Sequence, residues 1–320
     1  MKLHEDQRAF QAIIQSVNEL SNMRMDILEK DYYVTLLLKE LADKQSGGLP
    51  AYFKGGTALY KALGTIQRFS EDIDLTVRVD GCTGKQAKQR LEQSAHYHSL
   101  PRTKFRNLEY SNADSISFAY DYEPVVEYDT EDALQRFGHV RIESTSYTVS
   151  EPTEAREISA AIYKYAKGSE KELLESLYDV APFAIETIRA ERIFIDKIFA
   201  SEHYYIGQRY TDVAKHIYDI AIMSQLDFAK SLLGNPEYLR EIVAYKRQEE
   251  SGWAESAVAD KPFSEFILAR EAAENKDLAD AYNLMQEIYI FEDVFKVEYS
   301  TVSSILTETL DKIMSGVENN

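Results

Sequence analysis

Two aspartates one residue apart, Asp72 and Asp74, sit in the run Ser70-Glu71-Asp72-Ile73-Asp74-Leu75-Thr76-Val77. Apolar Ile73 and Leu75 alternate with the acids and β-forming residues follow, so the run predicts a strand. A side-chain period of two puts both carboxylates on one face, roughly 7 Å apart along the strand. Carboxylates so placed repel each other unless a cation lies between them, and hard divalent ions such as Mg2+ prefer oxygen ligands of this kind. Upstream, Lys54-Gly55-Gly56-Thr57 leaves a short predicted strand at Tyr52 and Phe53 and opens a helix. Glycines there let the backbone approach a ligand closely, and the helix N-terminus offers free N–H groups to a phosphate. A Gly-Gly turn alone is a common structural feature. Followed after 15 residues by Asp72-x-Asp74, it supplies the parts for metal-assisted phosphoryl chemistry. One ion lowers the pKa of an attacking hydroxyl, and another neutralises a triphosphate and its leaving pyrophosphate. The competing reading is a solvated sheet edge. Against it stand the buried face implied by Ile73 and Leu75 and the nearby Lys54, Arg68 and Ser70.

These residues need elements to hold them. Apolar positions at Phe10, Ile13, Ile14, Val17 and Leu20 predict a helix over Asp6 to Leu20, and a second covers Asp26 to Ala42. Gly47, Gly48 and Pro50 break the chain before the glycine turn. Thr83 to Ala95 reads as a helix, and Thr103 to Tyr147 as sheet, with Ser115 to Tyr120 and Val140 to Glu143 alternating around a polar break at Asp129 to Asp132. From Pro152 onward strands are scarce. Helices are expected over Thr187 to His203, Tyr210 to Met223, Glu237 to Gln248, Pro262 to Ala273, Asp277 to Ile290 and Thr301 to Met314. Sheet first and helices after gives an α+β fold, with a mixed-sheet half over residues 1–180 and a helical half over 181–320 that completes the site.

The 320 residues carry a net charge of −18, of which −10 falls from Asp227 onward. Such a chain has no general attraction for nucleic acid or anionic membranes, so a polyanionic substrate must meet bound metal or a local basic patch. The acidic end reads as a solvated surface, or as a face for a basic partner. Cys82 is the only cysteine, which excludes an internal disulfide and a cysteine-based zinc site. No stretch approaches the roughly 20 apolar residues of a membrane span, and the start lacks a signal pattern, so the expected setting is the cytoplasm.

The Gly-Gly, spacer, Asp-x-Asp arrangement resembles the nucleotidyltransferases of the DNA polymerase β superfamily. The fuller text KGGTALYKA followed by RFSEDIDL is similar to the AbiEii/AbiGii type IV toxin group, which includes the MenT-type tRNA-modifying toxins. Glu29-Lys30-Asp31-Tyr32, PFAIETIRAERIFIDKIFA and RYTDVAKHIYDI fit the same group, so the resemblance runs from about Leu28 to about Ile220.

The resemblance implies a polymerase-β-like domain followed by a helical one. It makes Asp72 and Asp74 ligands for Mg2+ or Mn2+, and Gly55, Gly56 and Thr57 the triphosphate turn with Lys54 beside it. Ser70 stands where some relatives carry a regulatory phosphorylation site; a phosphate there would add about −2 charge beside Asp72. Lys197 matches a lysine expected to contact nucleotide phosphate, and Asp219 matches the last acid of a Lys-Asp-x-x-Asp motif, in which His216 replaces the first acid. The implied substrates are an NTP and RNA, above all the 3′ end of tRNA. The implied partner is a separately encoded antitoxin, and the implied setting is phage defence.

Each of these residues also has a plainer reading. Lys197 could pair with Asp196 or Glu191, Asp219 with Arg209 or Lys215, and Lys30 and Asp31 could brace the N-terminal helix. His216, a lone histidine, reads first as structural. Glu143 shares a strand face with Arg141 and is the chosen third carboxylate, with Glu127 as the alternative. Cations gather at Lys85, Lys88, Arg90, Arg102, Lys104 and Arg106, and again at Arg189, Arg192, Lys197, Arg209 and Lys215. With 22 tyrosines, including Tyr204, Tyr205, Tyr210 and Tyr218, these could face RNA or simply be solvated helix. Two further readings stand beside RNA modification: NMP transfer to a small molecule or protein side chain, and a nucleotide-binding regulatory protein whose catalysis has decayed.

Overall fold

Strand alternation around the two aspartates becomes the pleat of a mixed seven-stranded sheet. In the computed structural model, residues 1–104, 108–128, 137–147, 151–252, 256–290 and 292–318 are described. The strands are β1 (Ala51–Lys54), β2 (Ile73–Val77), β3 (Tyr110–Ser111), β4 (Ser115–Asp121), β5 (His139–Thr145), β6 (Thr153–Ile158) and β7 (Phe183–Ile188), in the spatial order β3-β4-β5-β2-β1-β7-β6. β1 runs antiparallel to β2 and parallel to β7. β2 runs parallel to β5, which pairs antiparallel with β4. This is the α+β architecture expected from the sequence. The expected break at Asp129 to Asp132, and Arg106, lie outside the described residues.

Helices α1 (Gln7–Ser21), α2 (Met25–Ser46), α3 (Gly55–Lys61), α4 (Gly84–Ala95), α5 (Ala161–Tyr165) and α6 (Gly168–Ser176) accompany the sheet. Residues Met1–Ala62, Glu71–Ser146 and Glu154–Thr187 make one compact unit. α2 is its buried central helix, covered from Asp26 to Leu38. A helix hidden on all sides must satisfy every charge it carries. The Glu29 carboxylate accepts from the Val125 amide at 2.7 Å, and the Lys30 ammonium donates to the His139 carbonyl. Asp31 pairs with Lys61 at 2.5 Å through one oxygen and accepts from the Ala161 amide at 2.6 Å through the other. Lys30 and Asp31 are therefore braces: they tie α2 to β5, to the end of α3 and to the start of α5.

The second unit takes Leu63–Ser70, Tyr147–Thr153 and Ile188–Asn320. Its helices are α7 (Ala190–Ile206), α8 (Tyr210–Ser224), α9 (Asp227–Leu233), α10 (Pro236–Ser251), α11 (Leu268–Glu271), α12 (Lys276–Tyr289) and α13 (Tyr299–Val317). Ile193, Phe194, Ile198 and Phe199 of α7 and Ile217 and Ile220 of α8 are fully or almost fully buried.

Three sequence expectations shift here. β6 and β7 were not anticipated, and the helix expected from Thr187 begins at Ala190 instead. Thr187 pairs with Phe53 of β1 and its hydroxyl donates to the Phe53 carbonyl at 2.7 Å, so a tertiary partner overrides a helix-like local pattern. The helix expected over Pro262 to Ala273 is broken into the turn Phe263–Glu265, α11 and the turn Ala272–Glu274. Buried Glu202 of α7 accepts the Ile267 and Leu268 amides at 2.9 and 3.0 Å, which fixes a helix start in mid-segment. The short helices α5, α6 and α9 also went unpredicted.

Replacing Asp31 with Ala leaves Lys61 and the Ala161 amide buried without their partner. The expected cost is about 3–5 kcal/mol of unfolding free energy, measured by urea denaturation against the wild type.

Candidate active site

The sheet register sets the candidate acids on one face in two neighbouring rows. Lys54 of β1 lies opposite Asp74 of β2, and Asp74 lies opposite Glu143 of β5. All three share a face, while Phe53, Ile73, Leu75 and Ile142 fill the other side and are fully buried. Asp72 stands two residues before Asp74 and Arg141 two before Glu143, so Asp72 and Arg141 occupy the next row. The Arg141 guanidinium bridges them, with one nitrogen 2.6 Å from Asp72 Oδ2 and another 3.2 Å from Glu143 Oε1. Glu127, the alternative third acid, is exposed and lies outside the strands.

Electrostatics follow from this crowding. Burial first, and then the charge of Asp74, push the Glu143 carboxyl up to about 7, with Arg141 opposing. His139, at the head of β5, is driven down to about 4 by burial and by Lys30. A row of acids at this density invites a cation. Arg141 answers for Asp72 and Glu143, and Lys54 adds a weaker attraction for Glu143.

The glycine turn is built against the same acids. Gly55 has φ +76°, and a Cβ there would lie 2.1 Å from Asp74 Oδ2 and 3.0 Å from Asp74 Cβ. Only a residue without a side chain fits. Gly56 and Thr57 follow inside α3, and Thr57 is fully buried. Its hydroxyl donates to the Asp72 carbonyl, so Thr57 ties the turn to the acidic strand. Lys54 extends from β1 toward Thr145 Oγ1 at 3.4 Å. Among the described residues no group of three or more His, Cys, Asp or Glu side chains forms a ready-made metal cage. The donors nonetheless suit a hard cation: they are carboxylate oxygens on a common sheet face, and the guanidinium between Asp72 and Glu143 shows that positive charge is accommodated.

The second unit holds a different cluster. Asp219 of α8 is fully buried, and Lys197 of α7 approaches its Oδ2 at 3.0 Å. Arg68, buried and not anticipated as a site residue, donates from Nε to Oδ1 and from Nη2 to Oδ2, both at 2.7 Å. Burial pushes the Asp219 carboxyl up, but Arg68 and then Lys197 outweigh it and hold the group at about 2. The plainer pairings are taken by others: Glu191 binds Arg189, Asp196 binds Arg192, and Arg209 binds Asp212. Lys215 lies over the Tyr289 ring. His216 is half-buried and stacked on Tyr204 with ring centroids 5.3 Å apart. Burial first, and then Lys197, hold it neutral, with its pKa well below the ordinary value. Ser70 is half-buried at the end of the Leu63–Ser70 stretch.

Three of the described cations that follow β2 are engaged within the protein. Lys88 donates to Ser111 Oγ and the Asn112 carbonyl, Arg90 to the Arg78 carbonyl, and Arg102 pairs with Glu109 at 2.6 Å. Lys85 and Lys104 are exposed.

Over residues 36–294 the sequence matches the family described as the nucleotidyl transferase AbiEii toxin of type IV toxin–antitoxin systems. No match was found among curated proteins. Among solved structures, the chain is similar to MenT4, a nucleotidyltransferase toxin from Mycobacterium tuberculosis H37Rv. The two are 12% identical with a TM-score of 0.37, and the match covers 85% of this chain and 98% of that one.

Two outcomes check this geometry. Gly55→Ala imposes a left-handed backbone on a side chain and displaces Asp74, at an expected cost of about 1–2 kcal/mol in denaturant unfolding. For Asp219, the native value of about 2 lies below the ordinary 3.8. Its ionised form therefore stabilises the fold above about pH 4, and that contribution, roughly 2 kcal/mol, drains away as pH falls toward 2. Urea unfolding of wild type and Asp219→Asn should show the wild-type advantage narrowing between pH 5 and pH 3; a constant gap would remove the ionised-carboxylate assignment.

Proposed function

The chain belongs to the AbiEii family of nucleotidyl transferase toxins of type IV toxin–antitoxin systems, and from that premise we propose that it transfers a nucleoside monophosphate from an NTP to RNA, above all the 3′ end of tRNA. The observation that carries the reading is the row Lys54, Asp74 and Glu143 on one sheet face, with the Gly55 turn packed directly on Asp74. That arrangement supports a reading in which a phosphate binds next to a divalent cation.

In this reading Asp72 and Asp74, with Glu143 as third acid, hold Mg2+ or Mn2+. When bound, the ion neutralises charge on the triphosphate and favours ionisation of the attacking hydroxyl. The backbone of Gly55 and Gly56 takes the triphosphate, with Lys54 beside it, and Lys197 keeps the phosphate-contacting role that the family likeness gives it. Thr57 keeps the turn and the acidic strand in register. The acceptor hydroxyl oxygen forms a bond to the α-phosphorus, the α–β phosphoanhydride bond breaks, and pyrophosphate departs with the bonding electrons. The hydroxyl proton passes to solvent. Phosphate on Ser70 would bring about −2 charge to the residue two before Asp72 and oppose nucleotide binding. A separately encoded antitoxin opposes the activity in this family's logic. Among the described residues no helix is long and apolar enough to cross a membrane.

A second reading keeps the chemistry but transfers NMP to a small molecule or a protein side chain. It is favoured by the internal engagement of Lys88, Arg90 and Arg102, which reduces the cationic surface left for a polyanion.

Incubation with Mg2+, each α-labelled NTP and total tRNA separates the two. Label on RNA supports the first reading, and label only on protein or small molecules supports the second. Asp72→Asn should reduce labelling at least about 100-fold, since metal stabilisation of the transition state amounts to several kcal/mol. Its melting temperature should stay within about 3 °C of wild type, because surface-accessible ion pairs contribute little to stability.

A further inference from the structure

Within the helical unit the carboxylate of Asp219 is gripped from two sides. Arg68 presents two parallel donors, Nε to Oδ1 and Nη2 to Oδ2, each at 2.7 Å, and Lys197 reaches Oδ2 at 3.0 Å. Arg68 is only 4% exposed, Lys197 7% and Asp219 0%. Arg68 is itself fixed: its Nη1 lies 3.4 Å from the Phe69 carbonyl, and the Phe69 amide donates to the carbonyl of Tyr289 at the end of α12 at 2.9 Å.

A carboxylate held by one lysine can turn about its last torsion, and a lysine is a flexible stem with a point charge at its tip. A bidentate guanidinium removes that freedom, because both oxygens must lie in the plane of the fork. Three charged side chains buried together are also costly compared with apolar residues of the same size. A role in placing a charge accounts for keeping them. Neutral, half-buried His216 adds no negative charge to the cluster.

We propose that Arg68 is a positioning residue for Lys197, acting through Asp219: the guanidinium fork locks the carboxylate, and the locked carboxylate holds the Lys197 ammonium at a fixed point for a nucleotide phosphate. Asp219 is then a positioning residue as well, and Lys197 is the member that meets substrate. The proposal rests on the reading of Lys197 as a phosphate contact.

A double-mutant cycle tests it. Binding of the tightest of the four Mg-NTPs is measured by calorimetry for wild type, Arg68→Lys, Lys197→Ala and the double variant. Arg68→Lys keeps the charge but loses the fork, and should weaken binding about 10-fold. Lys197→Ala should weaken it by at least as much, and the double variant should bind no more weakly than Lys197→Ala alone. A purely structural role for Arg68 would instead give losses that multiply, and that result overturns the proposal, as does an Arg68→Lys variant with unchanged affinity. If Lys197→Ala binds as wild type does, the phosphate-contact reading falls and the proposal with it. Should Arg68→Lys fail to fold, Asp219→Asn replaces it in the same cycle, with the same expected lack of additivity and the same overturning result.

Discussion

Carboxylates that share one face of a sheet raise one another's free energy, and the arrangement of the first unit answers that repulsion. Asp72, Asp74 and Glu143 are brought together by strand register alone: β2 pairs with β5 so that Asp74 and Glu143 sit side by side. Nothing in the apolar packing beneath requires acids above it. The stress shows in Glu143, which burial and Asp74 push up to about 7. It is relieved in part by Arg141, which touches both Asp72 and Glu143. A divalent cation supplies the same relief more strongly, with oxygen ligands that a guanidinium cannot exploit as fully. The face therefore carries an unmet demand for positive charge that Arg141 answers only in part.

The same logic of paired charge runs through the rest of the chain. α2 carries Glu29, Lys30 and Asp31 into the core and gives each a backbone or side-chain partner. In the helical unit, buried Arg192 meets Asp196 and Glu249, and Lys246 meets Glu249 and Glu250. Glu202 is fully buried, and Lys261 and two backbone amides satisfy it. Breaking any such group leaves an uncompensated charge, so these residues resist substitution even where they have no part in chemistry.

The acidic strand and the glycine turn were legible in the sequence because their signals are local. Alternation fixes a face, and Gly55 followed by an acidic strand leaves few other uses for a left-handed turn. The register that places Glu143 beside Asp74 was half legible: the face of Glu143 follows from Val140 and Ile142, but its neighbour depends on which strands pair. Arg68 was missed as a partner of Asp219 because 151 residues separate them, and its neighbours Phe69 and Ser70 mark it only as the entry to the acidic run. β7 was missed for a related reason. Its sequence passes directly into the pattern of α7, and its pairing with β1, reinforced by the hydrogen bond from Thr187 to Phe53, is a long-range contact that local pattern does not show.

Acceptor recognition is where the charge balance constrains function most. In a chain of net charge −18, any cation near an acid is drawn into pairing with it, and Arg102 is held by Glu109 while Lys88 and Arg90 are spent on carbonyls. These residues order the connections around β3, β4 and α4, so their positions are explained without RNA. Lys85 and Lys104 stand exposed, but two lysines on flexible stems give a diffuse attraction and no register for an RNA backbone. Among the described residues that follow β2, the loop cations therefore offer a polyanion little fixed charge, and a polyanionic acceptor would have to draw on charge from elsewhere.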